Sequence, residues 1–290
     1  MNVFAEAIHS RKILVDGVYL HYLEDGQGEP IVFLHGNPTS SFLWRNVIPR
    51  LARCGRCIAP DYLGMGKSDK VISSYRLVEH IRYVEHFLDE LGLHNITFVA
   101  HDWGVVIALH LGRSDPQRVR AIAMMEGHIH AFDKWEDLDP GARSLFKDLR
   151  DPNRGRELIL DQNIMIETVL PSGIVRTLLD TEMAAYRAPF GDSSSRMPMW
   201  RWVNEIPIAG EPSDVDAIVK ANQAFLMSSP VPKLLLHADP GAVIGAPEVD
   251  WCRQHARNLK IVNVGRGIHF LPEDQPERIG KAIAEWFATL

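Results

Sequence analysis

Short runs of apolar residues recur along the first 125 positions and again beyond 230, separated by turns. Residues 13–15 and 18–23 flank Asp16-Gly17, the pattern of a tight hairpin. The runs at 31–34, 57–59, 96–100, 119–124, 234–236 and 261–264 do not alternate with polar residues. Such runs fit strands covered on both faces. Between them, 42–51, 77–91, 105–111, 248–256 and 276–287 carry the three-and-four spacing of amphipathic helices. Strand–helix alternation of this kind predicts an α/β fold: a mostly parallel sheet with helices on both faces.

The alternation lapses between Gly127 and Gly210. This stretch is Trp-rich and helix-forming, and Pro140, Pro152, Pro171, Pro189, Pro198 and Pro207 cut it into short pieces. The expected organisation is therefore a main domain from 1–128 and 211–290, with a helical cap at 129–210. Inserted between the sixth and seventh strands, the cap sits over the carboxyl ends of the strands, where such sheets place their ligands.

Composition narrows the function class. The chain is 46% hydrophobic and 23% charged, with 31 basic against 37 acidic residues for a net charge of −6. That is an ordinary globular composition, with no basic run for nucleic acid or an anionic membrane. No apolar stretch approaches the roughly 18 residues of a membrane span, and the start, MNVFAEAIHSRK, lacks the apolar core of a secretory signal. Three cysteines, Cys54, Cys57 and Cys252, form no disulfide framework and point to the cytoplasm. The Cys54-Gly55-Arg56-Cys57 spacing has no second pair and is read as packing at a strand start.

The candidate chemistry begins at Val99-Ala100-His101-Asp102-Trp103-Gly104, a strand entering a helix through a Gly-containing turn. A nucleophile elbow has this pattern, with Asp102 where serine is more usual; aspartate also caps helices well. His35-Gly36-Asn37-Pro38 follows the run ending at Leu34, where this architecture places an oxyanion loop. Of the thirteen histidines, His269 follows the last strand and is positioned to reach the elbow. His35 and His101 are read as orienting the two motifs. His128 and His130 open the cap, either in a pocket or on the surface, and the other eight are read as surface or helix residues. Two carboxylates compete to orient His269: Glu126 at the end of the sixth strand and Asp239 after the seventh, in an Asp-Pro-Gly turn.

These segments resemble the haloalkane dehalogenases of the α/β-hydrolase fold. The resemblance runs from about Lys12 to the C-terminus and is carried by FLHGNPTSSFLW (33–44), GMGKSDK (64–70), the elbow at 101–104, RELILDQN (156–163) and PIAGEP (207–212). It favours the branch whose acid follows strand six. By that resemblance Asp102 is the nucleophile, His269 the base, Glu126 the acid, and Asn37 with Trp103 the halide-binding pair. Met165, Val169 and Gly173, on one face of a cap helix, line the access route, and Ala242, Val243 and Ile244 join from the loop after strand seven. The GHIHAF segment at 127–132 is divergent.

The chemistry suits these residue types. Carbon–halogen displacement needs a nucleophile anionic at neutral pH, which aspartate supplies with an ordinary pKa of about 3.9. The indole N–H and the amide are neutral donors for the departing halide. The implied partners are a small halogenated alkane and a halide ion, for a monomer or homodimer with no metal or organic cofactor. Epoxide hydrolases share the elbow but use cap tyrosines, of which this cap has only Tyr186. Coelenterazine-type luciferases share the whole frame.

Overall fold

The computed structural model describes residues 8–290; positions 1–7, which open the stretch read above for a secretory signal, lie outside them. Eight strands form one sheet in the order β1-β2-β4-β3-β5-β6-β7-β8. The hairpin joins β1 (His9–Val15) to β2 (Val18–Asp25), turning at Asp16-Gly17, where both residues have positive φ. After β2, which also runs antiparallel to β4, every pairing is parallel. The unbroken apolar runs become the central strands β3 (Pro30–Leu34), β4 (Arg56–Pro60), β5 (Ile96–His101) and β6 (Val119–Met125), buried along nearly their whole length. The sheet continues with β7 (Lys233–Pro240) and β8 (Leu259–Gly267).

The longer helices are α1 (Leu77–Glu90), α2 (Trp103–Ser114), α3 (Pro140–Arg150), α4 (Asp180–Arg187), α5 (Met197–Asn204), α6 (Ser213–Ser228), α7 (Ala246–His255) and α8 (Pro276–Phe287). Of these, α1, α2, α7 and α8 stand where the spacing predicts helices, and α3 to α6 lie between β6 and β7. One expectation fails. The helix over 42–51 is two short pieces, a 3₁₀ turn at Ser41–Trp44 and a single α-turn at Ile48–Leu51. Pro49 has no N–H to give and fits only a first helical turn, so the chain must restart there. The 16-residue α6, directly after 127–210, has no counterpart in the sequence reading.

Between β6 and β7 the described chain consists of helices joined by loops and turns, with no strand beyond isolated bridges at Ile208. Two segments here, Glu157–Asp161 and Met165–Val169, are wound with wider i→i+5 bonds. An ionic cluster ties this segment to the sheet. Arg45, Arg176 and Tyr186 all hydrogen-bond Glu273, whose side chain is fully buried, and Glu182 pairs with both arginines.

Candidate active site

At the end of β5 the backbone turns through Asp102 at φ 53°, ψ −124°, and α2 begins at the next residue. This conformation is costly for a residue with a Cβ and holds only where its surroundings enforce it. The enforcement comes from close packing on both sides. A Cβ at Gly104 would fall 2.2 Å from the Leu34 carbonyl oxygen, and one at Gly36 would fall 2.2 Å from Asp102 Oδ2. Glycine therefore brings the loop after β3 onto the elbow. That contact lets the Asn37 backbone N–H donate to Asp102 Oδ2 at 2.8 Å, and the Trp103 N–H also donates to the carboxylate. Burial pushes the Asp102 pKa up; nearby His269 and these two amides pull it back, leaving a net rise.

The two motif histidines hold the loops. His35 Nδ1 donates to the Gly36 carbonyl at 2.9 Å, and its Nε2 accepts the Tyr62 N–H at 3.2 Å, which fixes a neutral tautomer. Burial lowers its pKa to about 4. His101 Nε2 donates to the His269 carbonyl at 2.9 Å, so the residue before the elbow grips the loop after β8.

On that loop, His269 Nδ1 lies 3.3 Å from Glu126 Oε2. Glu126 is 0% exposed and follows β6 at φ 47°. Its carboxylate accepts the backbone N–H groups of Ala242 (3.0 Å), Val243 (2.8 Å) and Ile244 (3.3 Å). Burial opposes protonation of His269, but the Glu126 hydrogen bond and the charges of Asp102 and Glu126 outweigh it and raise the imidazole pKa. Asp239 stands apart, exposed at the end of β7 and bonded to Asn263 Nδ2 at 2.7 Å. The structure thus brings Asp102, His269 and Glu126 together and leaves Asp239 outside.

A cavity of about 550 Å³ opens over this group. Asn37 and Trp103 reach it alongside Asp102. Asn37 Nδ2 donates to the Met199 carbonyl at 3.2 Å, which orients the amide and leaves its second N–H free. Met165, Val169, Gly173, Ala242 and Val243 also line the cavity. Their setting differs from expectation in two ways. Met165 and Val169 lie on an i→i+5 turn, and Gly173 ends a short segment after it, where its carbonyl accepts the N–H groups of both His269 (2.9 Å) and Phe270 (3.0 Å). Ile244 does not line the cavity; its side chain is packed in the core.

Sequence reasoning missed two further roles. The loop after β7 serves the site through backbone amides, which side-chain patterns do not signal. Among the eight histidines read as surface or helix residues, two are buried. His21 bonds Asp61 at 2.7 Å, and His80, within α1, stacks on Trp202 with ring centroids 4.3 Å apart. His80 lies on the apolar face of α1, so helical periodicity could have found it. His21 shares the face of exposed Tyr19 on β2 and is buried by its Asp61 partner, which periodicity does not signal.

Fold and site are those of an α/β hydrolase whose elbow carries a carboxylate, and a family model described as alpha/beta hydrolase fold matches residues 29–167. Full-length relatives narrow this. A haloalkane dehalogenase of Mesorhizobium japonicum is 46% identical over 92% of this chain and 87% of its own length. One from Sphingobium indicum is 40% identical over 100% and 99%. The crystal structure of haloalkane dehalogenase DbeA from Bradyrhizobium elkani superposes with a TM-score of 0.95 at 42% identity, covering 97% of this chain and 98% of that one. The chain belongs to the haloalkane dehalogenase family. Among the described residues no helix is long and apolar enough to cross a membrane.

Proposed function

We propose that this protein hydrolyses the carbon–halogen bond of haloalkanes, giving alcohol and halide through an ester on Asp102. The observation that carries this reading is the elbow carboxylate itself, held by the Asn37 amide at 2.8 Å beside the His269–Glu126 pair. An aspartate needs no deprotonation to displace a halide, which serine would. With Oδ2 engaged by the Asn37 N–H, Oδ1 is the oxygen that attacks carbon. The carbon–halogen electron pair leaves with the halide, met by the Trp103 indole N–H and the free Asn37 amide N–H.

The ester that results has its carbonyl oxygen, Oδ2, already on the Asn37 backbone amide. His269 takes a proton from water as it adds to the ester carbon, and Glu126 steadies the imidazolium that forms. The oxyanion develops against Asn37 N–H and Trp103 N–H. Collapse, with His269 returning its proton to the departing alkoxide, releases the alcohol, and the Asp102 carboxyl gives up its remaining proton to water to restore the carboxylate. The segment 129–210 acts as the cap, its Met165, Val169 and Gly173 bounding the access route. No step calls for a metal or organic cofactor.

Epoxide opening would need an acidic donor from the cap. Its one tyrosine, Tyr186, is buried on Glu273 and lies outside the cavity lining, which disfavours that chemistry. The deciding assay is bromide release from 1-bromobutane and 1,2-dibromoethane. Release that disappears with chelator and returns with zinc would sink the cofactor-free mechanism.

A further inference from the structure

The divergent segment after β6 places two imidazoles, His128 and His130, in the otherwise largely apolar cavity wall. His128 is 7% exposed. Its ring meets the Trp103 indole edge-on at 5.6 Å between centroids and the Phe132 ring at 5.9 Å. Among the described residues no protein group hydrogen-bonds either of its nitrogens. The unpartnered nitrogens of His80 are sealed in the core, whereas those of His128 are not, so they open on the cavity that the residue lines. Burial, with His269 and His130 nearby, lowers the His128 pKa to about 3, so at neutral pH the ring offers one N–H donor and one acceptor.

A plain alkyl chain filling this cavity would dry those nitrogens without replacing their hydrogen bonds, an unfavourable exchange. A substrate oxygen would restore them. Because His128 abuts Trp103, that oxygen has to lie within a few atoms of the halogen. We propose that this site takes halogenated alkanes bearing an ether or hydroxyl oxygen close to the halogen-bearing carbon, and that His128 is the residue that recognises that oxygen. The proposal rests on the dehalogenase reading above.

Three substrates of nearly equal shape test it: 1-bromobutane, 2-bromoethyl methyl ether and 3-bromo-1-propanol. The readout is the ratio of kcat/KM for each oxygenated substrate to that for 1-bromobutane. His128→Phe keeps the ring packing against Trp103 and Phe132 and removes the hydrogen bond, so the ratio should fall about tenfold. His128→Leu should lower it similarly, while His128→Gln, which can still donate and accept, should hold it nearer the wild-type value. A ratio unchanged in whichever of the Phe and Leu variants folds would overturn the role of His128. Failure of the wild-type protein to release bromide from any of the three would instead overturn the dehalogenase reading.

Discussion

The buried carboxylate of Glu126 accepts the backbone N–H of Val243 at 2.8 Å, from the loop that follows β7. Ala242 donates to the same oxygen, Oε2, which also meets His269 Nδ1, and Ile244 donates to Oε1, so amides engage both carboxylate oxygens. A glutamine cannot satisfy these donors: with its oxygen at the Oε2 position its NH₂ faces the Ile244 N–H, and turned round it faces Ala242, Val243 and the histidine ring. Glu126→Gln should therefore lose ester hydrolysis by on the order of a thousandfold or more. Asp239→Asn should keep most activity. Steady-state bromide release compares the two, and the reverse pattern would assign Asp239 as the residue orienting His269.

Displacement by Asp102 needs no base, whereas ester hydrolysis does. His269→Phe should release one halide per active site and stop, because water attacks an ester slowly without a general base. Intact-protein mass spectrometry after 1-bromobutane should show an added butyl group, and peptide mapping should place it on Asp102. Continued turnover, or label elsewhere, would reassign both residues.

Trp103→Phe retains an aromatic ring beside Trp202 and removes the indole N–H. Losing one neutral donor to the departing halide should cost about 3 kcal/mol in the displacement step, roughly a hundredfold in rate. Rapid-quench measurement of the halide burst reads this directly. An unchanged burst would place the halide elsewhere.

The base also changes during the cycle. In the resting site the charge of Asp102 helps hold the His269 pKa up, alongside Glu126 and against burial. Esterification neutralises Asp102, so the imidazole loses part of that support and its pKa drops. A lower pKa means more neutral base at a given pH, at the step that requires one. The acid limb of single-turnover ester hydrolysis should consequently lie below the His269 pKa titrated by NMR in the resting protein. A limb at the same pH or higher would refute the coupling.

Glu273 carries a different expectation. Its fully buried carboxylate joins Arg45, Arg176 and Tyr186. Glu273→Gln leaves two arginines short of a partner and should cost about 3 kcal/mol of stability, seen as a lower urea midpoint. Glu277→Gln, on an exposed pair with Arg50, should change little.

The sheet was legible from the sequence because its central strands are buried on both faces, and burial of that kind leaves unbroken apolar runs such as 31–34 and 96–100. The elbow was legible for a related reason: Gly36 and Gly104 mark places where backbone and carboxylate crowd together. Contributions made through the main chain left no such trace. The amides of 242–244 on Glu126 and the carbonyl of 173 on His269 are main-chain groups, whose partners the pattern of side chains does not reveal. The single helix expected at 42–51 failed because the local restriction at Pro49 outweighs the apolar spacing around it.

The Gly173 carbonyl bears on how this enzyme could be retuned. Gly173 lines the cavity, yet its carbonyl holds the backbone of His269 and Phe270, and a Cβ there would meet the Phe270 ring at 2.8 Å. Doorway and base are thus one mechanical part. A bulky residue at 173 would narrow the passage and also push on the loop that aims the imidazole. Engineering for substrate size at this position will trade against the speed of the second chemical step, whereas Met165 and Val169, which line the cavity but have no bond to that loop, offer selectivity without that penalty.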